Sequence, residues 1–514
     1  MTTLRLPPRP PRPDLHLDRP GDVEVRETHI SWVFLAGDRA FKVKKPIRLP
    51  YLDYRTPAQR LAMCRAEVEL NRRLAPEIYI GVRGLVPRRE GGLALAAAGD
   101  REAVDFAVEM RRFDDADTLD SRLRAGTAGA VELARLGRRL ADFHARARAE
   151  PASDGAERVK RALDDTFATL HGQLAPPGRR LIGARERMAG GILAAAWDEL
   201  DRRGAGGRIR EGHGDLRLEH VILGELGPAV VDCVEFDPGL RSIDVAGDLA
   251  FLVMDLHRIG RGELAPVLVA AYREAGGDPG SDALLALLAA YRAYVRAKVA
   301  LTRTAQHGPA GREGAAQLLG LGARMLWQAL TPLTLVVAGV AATGKSTLAA
   351  ALAAESGFDL VSTDVLRKRL AGLAPTTRAP RSLYDDEHDR ATYAALGDEA
   401  AAAGRGVVVD GTFRRAADRS AFFARRGGDT PLVLVECRAP ASVLLARADA
   451  RTHAASRVSD ADAAVVAGQL LAFEPVDELA AADHVLLRSD RPVADLVSEV
   501  GEALARRAGA SAAR

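Results

Sequence analysis

Three cysteines in 514 residues leave little scope for sulfur chemistry. Cys64, Cys233 and Cys437 are far apart, sit in apolar stretches and form no C-x-x-C or metal-type spacing, so reduced thiols are expected rather than a disulfide scaffold or a zinc module. Aromatic residues make up only 5%, which leaves few side chains on which bases could stack and argues against a nucleic-acid partner. A net charge of +3 is too small to point to a polyanion or a membrane surface. No apolar run approaches the ~18–20 residues of a membrane span. The Pro/Arg-rich start lacks an apolar signal core, so residues 1–20 are expected to be a disordered lead-in and the protein cytoplasmic. What is there, 47% hydrophobic and 27% charged, is the composition of a globular chain long enough for more than one domain.

The most informative stretch is Gly339-Val340-Ala341-Ala342-Thr343-Gly344-Lys345-Ser346, which fits G-x-x-x-x-G-K-[ST]. It follows the apolar run Leu333 to Ala338 and opens, from Thr347, into an Ala/Leu-rich stretch. Strand, loop and helix in that order place backbone N–H groups around a phosphate chain, with Lys345 on the β/γ-phosphates and the Ser346 hydroxyl on Mg²⁺. ATP with Mg²⁺ is the implied ligand. Further apolar runs, Phe358 to Asp364, Gly406 to Thr412, Thr430 to Cys437 and His484 to Leu487, alternate with helical patterns. They predict about five parallel strands in a doubly wound α/β sheet, with ligands at the strand carboxyl ends.

Acidic residues sit at those ends. Asp364 is a candidate to take the proton of an acceptor hydroxyl, with Arg367 gripping an anionic substrate, and Asp410 is a carboxylate for Mg²⁺. Arg447 and Arg451, four apart on one helix face and followed by Arg457 and Ser459-Asp460, read as an arginine-bearing lid that stabilises transferred phosphate. Residues 333–505 resemble the small P-loop kinases, the group of gluconate, chloramphenicol and polynucleotide 5′-hydroxyl kinases, through this loop, Ser362-Thr-Asp364, Val409-Asp410-Gly-Thr412 and the Arg447/Arg451 pair.

Upstream, Thr28 to Lys45 predicts a β-hairpin turning at Gly37-Asp38, with Phe41 and Val43 on one face and Lys42 and Lys44 on the other. A helix from Pro57 to Leu74 carries Glu67. Farther on, His213-Gly-Asp215-Leu-Arg217-Leu-Glu219-His220 precedes a strand-like run that ends at Asp232. An Asp on such a loop can accept a hydroxyl proton, and a second one downstream can hold the metal that bridges phosphates. His213-Gly-Asp215 with Asp232, and Ile243-Asp244-Val-Ala-Gly-Asp248 after them, resemble the aminoglycoside phosphotransferase family over roughly residues 25–325. The resemblance implies a kinase-like fold in which Lys44, with Lys42 beside it and Glu67 bracing it, holds ATP phosphates. It further implies Asp215 as base, Asp232 on metal and a buried Asp behind the catalytic loop. This sequence departs from the pattern at His220, where the family has a metal-binding Asn. Mg²⁺ prefers oxygen ligands. Glu219 or Glu235 substitutes, or His220 serves another metal such as Mn²⁺, or activity there is weak or lost. There is also no G-x-G-x-x-G loop, and Ser31 is the candidate stand-in.

The expected architecture is therefore an α+β kinase-like domain, with a small β-rich lobe and a helical lobe, over 21–330. An α/β P-loop domain with a parallel, doubly wound sheet follows over 331–505, and 506–514 form a frayed tail. The expected function is ATP-dependent phosphate transfer to a hydroxyl of a small metabolite. Two other readings stay open: an NTP-driven sensor in which the kinase-like domain only binds ligand, and a polynucleotide 5′-hydroxyl kinase.

Overall fold

The computed structural model describes residues 10–17, 23–49, 52–307, 312–374, 377, 380–428, 430–452 and 463–512. Its elements fall into two compact units, one of residues 1–155 with 200–280, the other of 156–199 with 281–514.

In the first unit the hairpin forms from strands Ser31–Ala36 and Arg39–Lys44, with Phe34 opposite Phe41, and it turns at Gly37, whose φ of +55° suits glycine. Alternation sorts its side chains. Phe41 and Val43 join Trp32, Phe34 and Leu85 in one core layer, while Ala40 joins the layer that contains Cys64 and Val68. The latter two belong to the helix Pro57–Arg72. That helix starts with a reciprocal cap, Thr56 Oγ1 accepting from Gln59 N and Gln59 Oε1 accepting from Thr56 N, and has proline at its first position. The sheet extends to seven strands in the order 15–16, 93–97, 79–87, 105–111, 39–44, 31–36, 24–27. Leu15–His16, within the Pro/Arg-rich lead-in, pairs in parallel with Leu93 and Ala94, and Leu15 is buried.

The helical part of this unit rests on helices Ala130–Arg146, Val245–Arg258 and Ala265–Glu274. Leu133, Leu136, Leu140 and Phe143 form the buried stripe of the first. Gly137 lets the third approach closely, since a Cβ there would lie 2.7 Å from Leu268 O.

The second unit contains the expected sheet of five parallel strands, ordered Asp359–Ser362, Gly406–Asp410, Leu333–Ala338, Leu432–Arg438, His484–Arg488. The central strand is buried at every residue, which is why it reads as an unbroken apolar run. Helices Asp282–His307 and Arg312–Gln328, which the sequence suggests as the helical lobe of the first domain, group with this sheet. Trp327 Nε1 donates to Glu355 Oε1 at 3.0 Å and its ring stands edge-on to Phe358 at 6.2 Å. Arg185 pairs with the same Glu355 at 2.5 Å, and Arg187 with Glu502 at 2.8 Å.

Candidate functional site

In the first unit, the strand Arg39–Lys44 and the helix Pro57–Arg72 bring both lysines to one glutamate. Lys42 Nζ lies 2.8 Å from Glu67 Oε1 and 2.8 Å from Asp232 Oδ1. Lys44 Nζ lies 2.7 Å from Glu67 Oε2 and is also bound to Glu235, whose Oε1 accepts from Tyr54 at 3.0 Å. The two lysines differ in access: the Lys44 side chain is fully buried, whereas that of Lys42 is 13% exposed and touches Asp232, which is 52% exposed. Burial acts against both ammonium groups, but the surrounding carboxylates outweigh it and raise the Lys42 and Lys44 pKa values. Lys42, with His220 adding to it, holds the Asp232 carboxyl well below the usual range. Asp232 has φ of +64°, a conformation uncommon outside glycine, of the kind that collects at functional sites.

The loop that carries Asp215 is held from behind. Asp248 accepts from His213 N at 2.6 Å and Gly214 N at 2.9 Å, and His144 Nε2 approaches it at 3.4 Å. Of the two acids in Ile243-Asp244-Val-Ala-Gly-Asp248, Asp248 is thus the brace, while Asp244 caps its helix and pairs with Arg203 at 2.8 Å. His213 is fixed through Nε2 to Val231 O at 3.0 Å, and burial pushes its pKa down to about 4. His220 occupies the expected metal position but is committed elsewhere. Its Nδ1 meets Asp215 O at 2.8 Å, its Nε2 lies 2.9 Å from Arg217 Nη2, and Asp232 Oδ2 is 3.8 Å away. Glu219 pairs with Arg217, and Glu235 with Lys44. Among the described residues, no three His, Cys, Asp or Glu side chains cluster as a metal site. Asp232 is itself paired with Lys42, so this donor set does not fit a metal held by protein ligands alone. Ser31, opposite Lys44 in the hairpin, is fully buried.

In the second unit the loop after the central strand curls through three positive φ values, Gly339 at +139°, Ala342 at +66° and Gly344 at +90°. That curl aims successive N–H groups inward as an anion nest ahead of the helix Lys345–Ser356. Val340, Ala341, Ala342 and Thr343 are buried, Lys345 half-buried, and Ser346 and Thr347 exposed. Asp410 ends the neighbouring strand, paired in register with Val337. Burial pushes its carboxyl up, Lys345 and Ser346 pull it down, and Asp364 adds repulsion. Asp410 Oδ1 is buried without a hydrogen-bond partner, while Oδ2 accepts from Ser362 at 3.3 Å. An orphaned carboxylate oxygen beside a phosphate-loop lysine and serine fits a hard divalent cation with its water shell.

Asp364 lies in the first turn of the helix Thr363–Leu370, two residues past the strand Asp359–Ser362 rather than at its end. Arg367 is not free to grip a substrate: it is buried, paired with Asp389 at 2.7 Å, bonded to Leu383 O and stacked over Tyr384. Arg447 lies on the phosphate loop, its Nη1 3.4 Å from both Ala342 O and Thr343 O. The side chain of Arg451, and Arg457, Ser459 and Asp460, lie outside the described residues. Sequence reasoning does not find Gln469, whose Oε1 accepts from Ala341 N at 2.7 Å, because nothing local marks a partner 128 residues away. Nor does it find Asn71, which bonds Cys233 N at 2.9 Å and so ties the Glu67 helix to the residue after Asp232.

These two constructions define a kinase-like fold joined to a P-loop domain. Residues 335–476 match the AAA domain family. The chain is 35% identical over 463 residues to an uncharacterized protein of Mycobacterium tuberculosis, spanning 86% of this chain and 90% of that one, and equally to one of Mycobacterium bovis. It belongs to their family. Among solved structures it is similar to a gluconokinase from Sinorhizobium meliloti (25% identity, 34% of this chain and 93% of that one, TM-score 0.27). It is also similar to a choline/ethanolamine kinase family protein from Mesorhizobium loti (17% identity, 60% and 89%, TM-score 0.38).

Proposed function

We propose that the protein is an ATP-dependent phosphotransferase that moves the γ-phosphoryl group to a hydroxyl of a small metabolite, and that the transfer takes place in the P-loop unit. One observation carries this reading: Asp410, with an unpaired buried oxygen, sits beside Lys345 and Ser346 at the mouth of the phosphate nest. The loop amides and Lys345 hold the triphosphate, and Arg447, lying on the loop, is in reach of negative charge that builds up on the transferred group. Ser346 and Asp410 would hold Mg²⁺, which supplies charge neutralisation on the phosphates when bound. Asp364, close enough to perturb Asp410, takes the proton of the acceptor hydroxyl as that oxygen bonds to phosphorus and ADP leaves. The near-neutral charge and scarcity of aromatics favour a small acceptor over a polynucleotide.

In the first unit Lys42, rather than the sealed Lys44, is the lysine that would meet a nucleotide phosphate, with Glu67 and Asp232 steering it. A second reading applies to this unit alone. With His220 tied to Asp215 O and Arg217, and Asp232 tied to Lys42, it would bind ligand without transferring phosphate. Transfer from γ-labelled ATP to a library of hydroxyl metabolites, with wild type, Lys345→Ala and Asp215→Asn, tests both. We expect product to vanish in Lys345→Ala and to persist in Asp215→Asn. Loss in Asp215→Asn alone would move the chemistry to the first unit. ATP hydrolysis with no acceptor labelled in any variant would replace the transferase reading with that of an ATP-driven sensor.

A further inference from the structure

The first unit has a second concavity, of about 590 Å³, lined by none of the residues of the lysine–aspartate site. That volume is typical of a small-molecule site, on the order of 300–1,000 Å³. Its walls are the end of the Glu67 helix (Arg73, Leu74, Pro76), the helix Ala130–Arg146 and the turn of the hairpin Val221–Val230. Five arginines line it, Arg73, Arg135, Arg138, Arg139 and Arg146, against two carboxylates, Asp142 and Glu225. In a chain of net charge +3 this is a marked local excess.

Helical geometry explains the stripe. Positions 135, 138, 139, 142 and 146 fall three or four apart and share a face, away from the buried Leu133, Leu136 and Leu140. From 135 to 146 the stripe runs eleven residues, or about 16 Å. A basic helix face is ordinarily laced with carboxylates that pair with it, but Arg135, Arg138 and Arg146 are exposed and have no ion-pair partner among the described residues. Arg139 spends Nη2 on Leu74 O at 2.7 Å, and its Nε is buried with no partner. Arg73 adds charge rather than free donors: it is stacked on Phe143 at 5.0 Å and bonds Glu211 O and Gly212 O at 2.8 and 3.0 Å. A smaller cavity of about 160 Å³ shares Arg135, Gly227 and Pro228, and adds Glu132 and an Arg122 already paired with Asp117 at 2.9 Å.

We infer that this groove binds a chain of linked phosphates, as carried by a nucleoside polyphosphate or by inorganic polyphosphate. Arginine forks match phosphate oxygens in pairs, and a row of exposed, unpaired guanidinium groups along one helix face suits several phosphates in line better than one. The site is independent of the transfer reading above. Within the first unit, Arg73 links the groove to the Asp215 loop through its bonds to the chain just before His213.

Leu226 on the groove's rim is 82% exposed, and Cys64, Cys233 and Cys437 are all buried. The full chain with Leu226→Cys, labelled with an environment-sensitive fluorophore, therefore reports this groove and not the P-loop. Titration with sodium tripolyphosphate and with ATP, both free of divalent cations, should give a saturable change with at least one of them. Its midpoint should rise about tenfold or more in Arg135→Ala/Arg138→Ala/Arg146→Ala and much less in the corresponding lysine triple. Removing three exposed arginines elsewhere, Arg65, Arg89 and Arg111, should leave it unmoved. Equal midpoints for the two ligands identify the phosphate chain alone, and tighter binding of ATP identifies a nucleoside polyphosphate. No saturable change with either, a change that survives the groove triple, or an equal loss in the control triple would overturn the site.

Discussion

Lys42 and Lys44 stand one pleat apart on the same strand face, and their neighbours give them different prospects. Both reach Glu67, but only Lys42 continues to the exposed Asp232, while Lys44 is sealed beneath it with Glu235 and Tyr54. The face was legible from alternation; which lysine is accessible was not, because that depends on Glu235, 191 residues from Lys44. His213 makes the residue scale measurable through pH. Its pKa, about 4 in the folded chain, lies below the ordinary value of 6.5, so the unfolded chain takes up the proton first. The stability contributed at this site is whole above pH ~6.5 and falls as pH drops toward 4, by at most about 3 kcal/mol. Urea unfolding followed by tyrosine and tryptophan fluorescence between pH 7 and 4.5 should therefore show a shallower acid loss in His213→Asn than in wild type. Parallel slopes in the two proteins would show that His213 does not carry it.

At the scale of elements, legibility followed period and punctuation. The hairpin at Gly37, the capped helix from Pro57 and the five parallel strands were all readable, because each repeats a local pattern that tertiary packing reinforces. The phosphate loop was readable for a harder reason: its conformation admits few residues. A Cβ on Gly339 would stand 2.7 Å from Cys437 O on the adjacent strand, at a φ of +139°. Gly339→Ala should cost about 1–3 kcal/mol of backbone strain and weaken nucleotide binding at the P-loop by more than tenfold, read by thermal unfolding and by fluorescent ATP-analogue titration. Elements whose meaning lies in remote partners stayed hidden. Arg367 read as a substrate grip until Asp389 and Tyr384 covered it, and the helix Ala463–Leu471 carried no sign that its Gln469 would cap a loop amide.

At the scale of the whole molecule, the P-loop sheet does not stand on the last 180 or so residues alone. Trp327, fully buried, stands against Glu355 and Phe358, and Gly501 lies close to both Met188 and Trp327. A fragment beginning at Thr331 would lose these neighbours. It should unfold at lower temperature than the full chain, and Trp327→Ala in the full chain should cost the P-loop unit about 3–5 kcal/mol. Loss of ATP-analogue protection against heating reads both, and a fragment as stable as the full chain would refute the expectation. The path of the chain between the units, changing at 155/156, 199/200 and 280/281, has a consequence for synthesis. As the chain leaves the ribosome, the segment 156–199 emerges before its partners in 281–514 exist. It must wait, amphipathic and unpaired, through the eighty-one residues that complete the other unit. The order of manufacture and the order of assembly are therefore different, and this interval is when the protein has most need of a chaperone.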